Sequence, residues 1–155
     1  MRLSSMADYA VVTMCAAARH CGSARVSAAE LADETGLPAP TVQKVVSLLS
    51  RAHLLRATRG SGGGLQLARP AAAITVADVI RALEGPLASV RGVRPHELPA
   101  AGDREPFVSL WIAVRSALRS VLEEVTIADL ADGRLPPAIA ALAADPESWA
   151  DHRRS

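Results

Sequence analysis

Aromatic side chains are scarce in this sequence: one Phe, one Tyr and two Trp among 155 residues. Half of the residues are nonetheless hydrophobic, much of it alanine. Ala, Val and Leu with few rings suit closely packed helices better than a sheet sandwich. Cysteine is limited to Cys15 and Cys21, too few for a disulfide framework. No apolar run reaches the length of a membrane-spanning helix. The opening MRLSSMADYAVV has a basic residue, but Asp8 and Tyr9 interrupt its apolar stretch. It predicts no secretory signal, and a cytoplasmic protein. Catalytic signatures are missing too: no Ser/His/Asp order, no paired carboxylates on a recognisable scaffold, no zinc-protease or cofactor fingerprint. The expectation is that the chain is not an enzyme. No internal repeat is visible.

What is present is an uneven distribution of charge. Residues 1–70 hold eight Lys/Arg against four Asp/Glu, and residues 71–155 nine against twelve. The net charge of +1 thus hides a basic first half and an acidic second half. That asymmetry is expected where the first half meets a polyanion.

Helix starts are well marked. Ser5 and Asp8, Ser27 and Glu30, Thr75 and Asp78, and Thr126 and Asp129 each place a hydroxyl three residues before an acid. The hydroxyl takes a free backbone N–H, and the acid reaches back or sits on the positive helix end. The pattern predicts helices over about 5–20, 27–35, 38–53, 75–84, 107–124 and 126–132. In the third, Val42, Val45, Val46 and Leu49 make one buried stripe. The opposite stripe carries Pro40, Gln43, Lys44, Ser47 and Arg51 and no acid. Thr35-Gly36 closes the second helix and Pro38 opens the third, a tight turn with the signature of a helix-turn-helix.

After Leu54 the period shortens to two. Leu55 and Ala57 alternate with polar residues, then Arg59-Gly60-Ser61-Gly62-Gly63-Gly64 leads into Leu65-Gln66-Leu67, which reads as a hairpin. Arg56 and Arg69 flank it. The expected fold is mainly α with a small β-hairpin wing: a winged helix-turn-helix over 1–85, a linker or sensor loop over 86–106, a long dimerisation helix and a short helix over 107–132, and a C-terminal tail over 133–155. Six prolines and glycines (Pro86, Gly92, Pro95, Pro99, Gly102 and Pro106) punctuate the linker. In the long helix, Trp111, Val114, Leu118, Val121, Leu122 and Val125 follow a heptad-like spacing suited to pairing with a second copy. The tail predicts a short loose helix or disorder.

Several stretches in order resemble the IscR/NsrR-type winged-helix regulators of the Rrf2 family. They are Leu3-Ser4 through Asp8-Tyr9-Ala10, Leu31-Ala32 to Thr35-Gly36-Leu37, the wing from Arg59 through Pro70, and Ile74 to Ile80 leading to Leu83-Glu84-Gly85-Pro86. The branch that looks most similar regulates the SUF iron–sulfur assembly system. The resemblance covers roughly residues 1–132. It implies a homodimeric transcriptional regulator, a repressor of iron–sulfur or stress genes, on a pseudo-palindromic double-stranded operator, with Ser4 among the DNA contacts. It also implies an iron–sulfur cluster held by three cysteines in the linker. Here the sequence departs from the pattern, since Leu87 to Phe107 contains no cysteine. Asp8 stands where some members use an acidic fourth ligand. A cluster needs several thiolates, so no cofactor and no metal ligand are expected. His96, Glu97, Asp103 and Glu105 are harder donors, at a spacing that matches no standard site.

Each candidate has a plainer alternative. The Gln43, Lys44, Ser47 stripe could be a solvated helix face; behind a helix-turn-helix, Gln43 suits adenine, Lys44 guanine or phosphate, and Thr41 and Ser47 phosphate or base edges. Arg59 is a loop arginine or a minor-groove probe, with Gly60, Ser61, Gly62 and Gly63 letting backbone approach phosphates. Cys15 reads as a core thiol. Cys21 and His96 leave open a redox- or metal-sensing regulator, and winged helices also serve as protein-interaction modules. Trp111 reads as core, or as the wall of a ligand pocket.

Overall fold

The computed structural model describes residues 3–21, 25–99 and 104–150. Asp103 and the last five residues of the tail lie outside them. Among the described residues, seven helices and one hairpin follow in order: α1 (Ser5–Arg19), α2 (Ala28–Thr35), α3 (Ala39–Arg51), β1 (Leu55–Thr58), β2 (Gly64–Leu67), α4 (Val76–Glu84), α5 (Glu105–Leu122), α6 (Ile127–Ala131) and α7 (Pro137–Ala144). This is the mainly helical, winged architecture that the sequence predicts.

Alanine decides how the core is built. Ala10, Ala16 and Ala17 of α1 are buried, so α2, α3, α4, α6 and β2 can all approach its backbone closely. Met14, Leu31, Val42, Val45, Leu49, Ile74, Val79 and Ile127 fill the space around it. Thr13, the buried polar side chain of this core, donates its hydroxyl to the Tyr9 carbonyl at 2.7 Å and so leaves no unmet group. A smaller cluster of Ala7, Val76, Ala77, Ile80, Leu87 and Val125 lies beside it.

Three of the four expected caps form as reciprocal boxes. Ser27 and Glu30, Thr75 and Asp78, and Thr126 and Asp129 each exchange backbone N–H groups, every box adding about 1 kcal/mol to a helix end. The first differs. Ser4, not Ser5, caps α1 by accepting from Ala7 N–H at 3.1 Å, and Asp8 does not reach back. The Ser4 N–H instead donates to Glu84 at 2.8 Å, a carboxylate brought from the end of α4.

The hairpin is shorter in its buried part than alternation suggests. Leu55, Leu65 and Leu67 point inward, but Ala57 is exposed because the outer half of β1 projects beyond the core. The 107–132 segment also divides. Helix α5 leaves the core, with Val108 its one buried residue, while α6 returns to it through Ile127. Ladder-like bonds from Val76 N–H to the Val125 carbonyl (2.9 Å) and from Ile127 N–H to the Ile74 carbonyl (2.8 Å) tie that return to the entry of α4. Helix α7 lies outside with no fully buried residue.

A ladder of charges joins the wing root to the end of α5. Arg69 meets Asp78 at 3.4 Å, Asp78 meets Arg81 at 3.8 Å, Arg81 meets Glu123, and Glu123 meets Arg119 at 3.0 Å. Hydrogen bonds from Arg119 and then Arg81 pull the Glu123 carboxyl from its ordinary 4.5 down to about 2. A depressed folded-state value stabilises the fold above the ordinary carboxylate range, and that contribution fades as pH falls from 4.5 towards 2. Glu123→Gln is therefore expected to melt below the parent at neutral pH, with the gap closing in acid. A gap unchanged across a pH series of thermal melts would refute the pairing.

Candidate nucleic-acid interface

Gly36 makes the turn between α2 and α3. Its φ of +68° is a left-handed conformation that a side chain would strain, and it closes α2 while re-aiming the chain. Pro38 caps α3 and Pro40 sits in its first turn, where a missing N–H costs no helix bond. Arg19 (3.0 Å) and His20 (2.8 Å) at the end of α1 both hold Glu34 of α2, which buttresses the unit from behind. Those bonds, His20 first, lower the Glu34 pKa and keep it ionised.

Helix α3 then presents two faces. Val42, Val45 and Leu49 are buried, with Val46 half-buried at the margin. Pro40, Gln43, Lys44, Ser47 and Arg51 are all exposed, and Thr41 is half-buried beside them. No carboxylate lies on this helix, and Lys44 is the only lysine of the chain. A convex helix with amide, ammonium, hydroxyl and guanidinium groups outward matches the donor and acceptor edges of a DNA major groove.

The wing stands next to it. The strands pair antiparallel from Leu55 with Leu67 to Thr58 with Gly64. The tip turns on Gly60 (φ +97°) and Gly62 (φ +74°), closed by Gly63 N–H on the Gly60 carbonyl at 2.9 Å. At Gly63 a Cβ would lie 2.3 Å from the Thr58 carbonyl oxygen, so only glycine fits. Arg59 and Ser61 are exposed at this tip.

One contributor escaped the sequence reading. Arg25 donates to the Gly62 carbonyl at 3.1 Å, and the next residue, Val26, exchanges two backbone bonds with Leu65 (3.2 and 2.7 Å). Val26 thus adds an isolated β-bridge to the edge of β2, which steadies the wing. Nothing local marks it, because its partners lie about forty residues away in sequence.

Other predicted residues fall elsewhere. The Ser4 hydroxyl is engaged as a helix cap. Cys15 is buried, and desolvation raises its thiol pKa, as expected of a core cysteine. Cys21 is exposed at the end of α1. His96 lies 3.9 Å from Glu97 in an exposed turn. Among the dimerisation candidates, Val114 is exposed and Leu118 and Val121 are half-buried. Leu122 and Val125 belong instead to the second core cluster of their own chain, since α5 ends where it meets α1 and α4. Trp111 is not core: it is 39% exposed and faces the linker. The exposed apolar residues of α5 that the heptad reading passed over are Phe107, Leu110 and Ile112.

Comparison with known proteins agrees with this surface. The Rrf2 family model, described as an iron-dependent transcriptional regulator, matches residues 3–133. A Mycobacterium tuberculosis protein named provisionally as an HTH-type transcriptional regulator is 41% identical over 94% of this chain and 90% of its own length. The regulator CymR of Bacillus subtilis is 34% identical over 84% of this chain and 90% of its own. The solved CymR structure, of the global cysteine regulator of B. subtilis, superposes with a TM-score of 0.71 at 30% identity, covering 87% of this chain and 99% of that one. T. potens IscR gives 0.68 at 29%, covering 97% of both. These relatives are regulators and not enzymes, as the lack of catalytic motifs predicts. A helix-turn-helix with a polar outward face, a glycine-tipped wing and a departing long helix therefore place the chain in the Rrf2 family of DNA-binding transcriptional regulators.

Proposed function

We propose that the chain acts in the cytoplasm as a homodimer that represses transcription from a pseudo-palindromic operator. Each α3 enters a major groove and each wing lies along the adjacent minor groove. The observation that carries this reading is the acid-free outward stripe of α3 standing beside the wing. Two-fold symmetry through α5 then sets the half-site spacing. The apolar residues that α5 leaves exposed, Leu110 and Val114 among them, support a second copy as its partner.

Gln43 and Arg59 have distinct roles in this scheme. Gln43→Ala is expected to lose about 1–3 kcal/mol of discrimination for the operator while keeping its affinity for random DNA. Arg59→Ala is expected to weaken binding and flatten its salt dependence. Fluorescence anisotropy at several salt concentrations reads both. Equal losses on operator and random DNA for Gln43→Ala would remove the base-reading role.

The donor set does not fit a linker-held iron–sulfur cluster. Cys15 is on α1 and buried in the core, Cys21 lies just beyond the end of that helix, and the linker has no thiol. The described residues hold no group of three or more His, Cys, Asp or Glu suited to a metal. The regulator is accordingly proposed to bind its operator without a cluster. Anaerobic purification followed by visible absorption, iron and sulfide analysis should give a colourless protein that still binds DNA. Stoichiometric iron and sulfide would overturn the proposal.

A further inference from the structure

Three consecutive residues fasten the wing to the helix-turn-helix. The Arg25 guanidinium donates to the Gly62 carbonyl at the wing tip, 3.1 Å away. Val26 bridges the edge of β2, its N–H donating to the Leu65 carbonyl at 3.2 Å and its carbonyl accepting from Leu65 N–H at 2.7 Å. Ser27 caps α2 in its reciprocal box with Glu30. The tip is thereby tied to the segment that starts the α2–α3 unit.

The wing needs such a tie. Its strands are four residues each, and Arg56, Ala57 and Thr58 of β1 bury nothing. A two-stranded hairpin of this length has little stability of its own. Four of the five residues 60–64 are glycine, the most permissive backbone there is, and Arg59 through Gly62 are exposed. The bond from Gly63 N–H to the Gly60 carbonyl fixes the shape of the turn but not its direction relative to α3. Arg25 supplies that direction from outside the hairpin. Its backbone lies close enough that a Cβ on Gly64 would stand 2.9 Å from the Arg25 Cβ.

We propose that Arg25 is a positioning residue for minor-groove reading. It holds the tip at one distance and direction from α3, so that Arg59 meets the groove flanking the half-site that α3 reads. The inference rests on the proposed entry of Arg59 into that groove, and Arg25 itself touches no base. Its effect is on selectivity. A fixed tip lets an arginine respond to the width and floor of the groove, whereas a swinging tip keeps only its charge near the phosphates.

Two duplexes test this by fluorescence anisotropy with the full chain. One is a binding site selected from random-sequence DNA by the parent protein. The other is the same site with every adenine replaced by diaminopurine, which adds an amino group to the minor groove and leaves the major-groove edge unchanged. The parent should bind the second duplex about tenfold more weakly than the first. Arg25→Ala should bind the first about tenfold more weakly than the parent does, the effect of one lost hydrogen bond from a charged group, and should bind the two duplexes nearly alike. In an Arg59→Ala chain the same substitution should change affinity less than about twofold, because the residue it positions is gone. Arg25 is exposed, and the urea midpoint of Arg25→Ala should stay near the parent's. If the parent discriminates and Arg25→Ala discriminates as well, or if its loss persists in full without Arg59, Arg25 is a phosphate contact or a support of the fold and the proposal is overturned. A parent that binds both duplexes alike would remove the minor-groove reading of the wing, and this inference with it.

Discussion

Leu110→Glu with Val114→Glu should turn the proposed dimer into a monomer and lower operator affinity on the order of a hundredfold or more. These two side chains are 52% and 37% exposed on α5 and four residues apart, one turn of the same face. In a paired helix both would lie in a desolvated seam, where an unpaired carboxylate is strongly unfavourable. In the monomer they face water, and glutamate is a good helix former, so the fold should persist. The operator loss follows from geometry rather than from any lost DNA contact. Two linked half-site readers gain on the order of 10²–10⁴ over one, and a monomer forfeits that gain. Sedimentation velocity and operator titration on the same sample are the measurement. A variant that stays dimeric would move the interface elsewhere. A monomer that binds the full operator as tightly as the parent would end the two-fold reading.

The second large effect concerns the opposite face of the reading helix. Leu49→Ala should destabilise the protein by about 2–5 kcal/mol, from lost transfer energy plus the cavity left behind. Leu49 is fully buried in the core that seats α3. Stability of a domain this size is about 5–15 kcal/mol, so this one change removes a large share of it. DNA binding would fall although Leu49 touches no nucleic acid. Gln43→Ala, two turns away and exposed, should barely shift the urea midpoint. A Leu49→Ala loss below about 1 kcal/mol would mean that the site collapses readily and that α3 is loosely seated. Together the two variants separate a residue that aims the helix from one that reads with it.

Much of the DNA-binding half is legible because its signals are local. A cap and an acid three residues on, a glycine between two helices, a proline in a first turn and a glycine run between alternating strands each constrain backbone within a few residues. The helix-turn-helix and wing, and the two faces of α3, follow from them and stand in the structure where they are expected. The missed features are all non-local. Glu84 binds the start of α1 from eighty residues away, at Ser4, which caps the helix in place of Ser5. Arg25 reaches Gly62 across thirty-seven residues.

The long helix shows the same division within one element. Its heptad-like spacing identifies an amphipathic helix, but periodicity alone assigns no partner to a face. Packing sends Leu122 and Val125 into their own chain, turns Trp111 towards the linker and leaves Leu110 and Val114 open. The sequence by itself determined which helices form, where they stop, which face of α3 is polar, and that no thiolate is available in the linker. Only the tertiary structure decided how α6 returns to the core and which charges align from Arg69 to Arg119. The reason is physical: short-range backbone preferences act within a turn or two, whereas burial and ion pairing depend on groups that folding alone brings together.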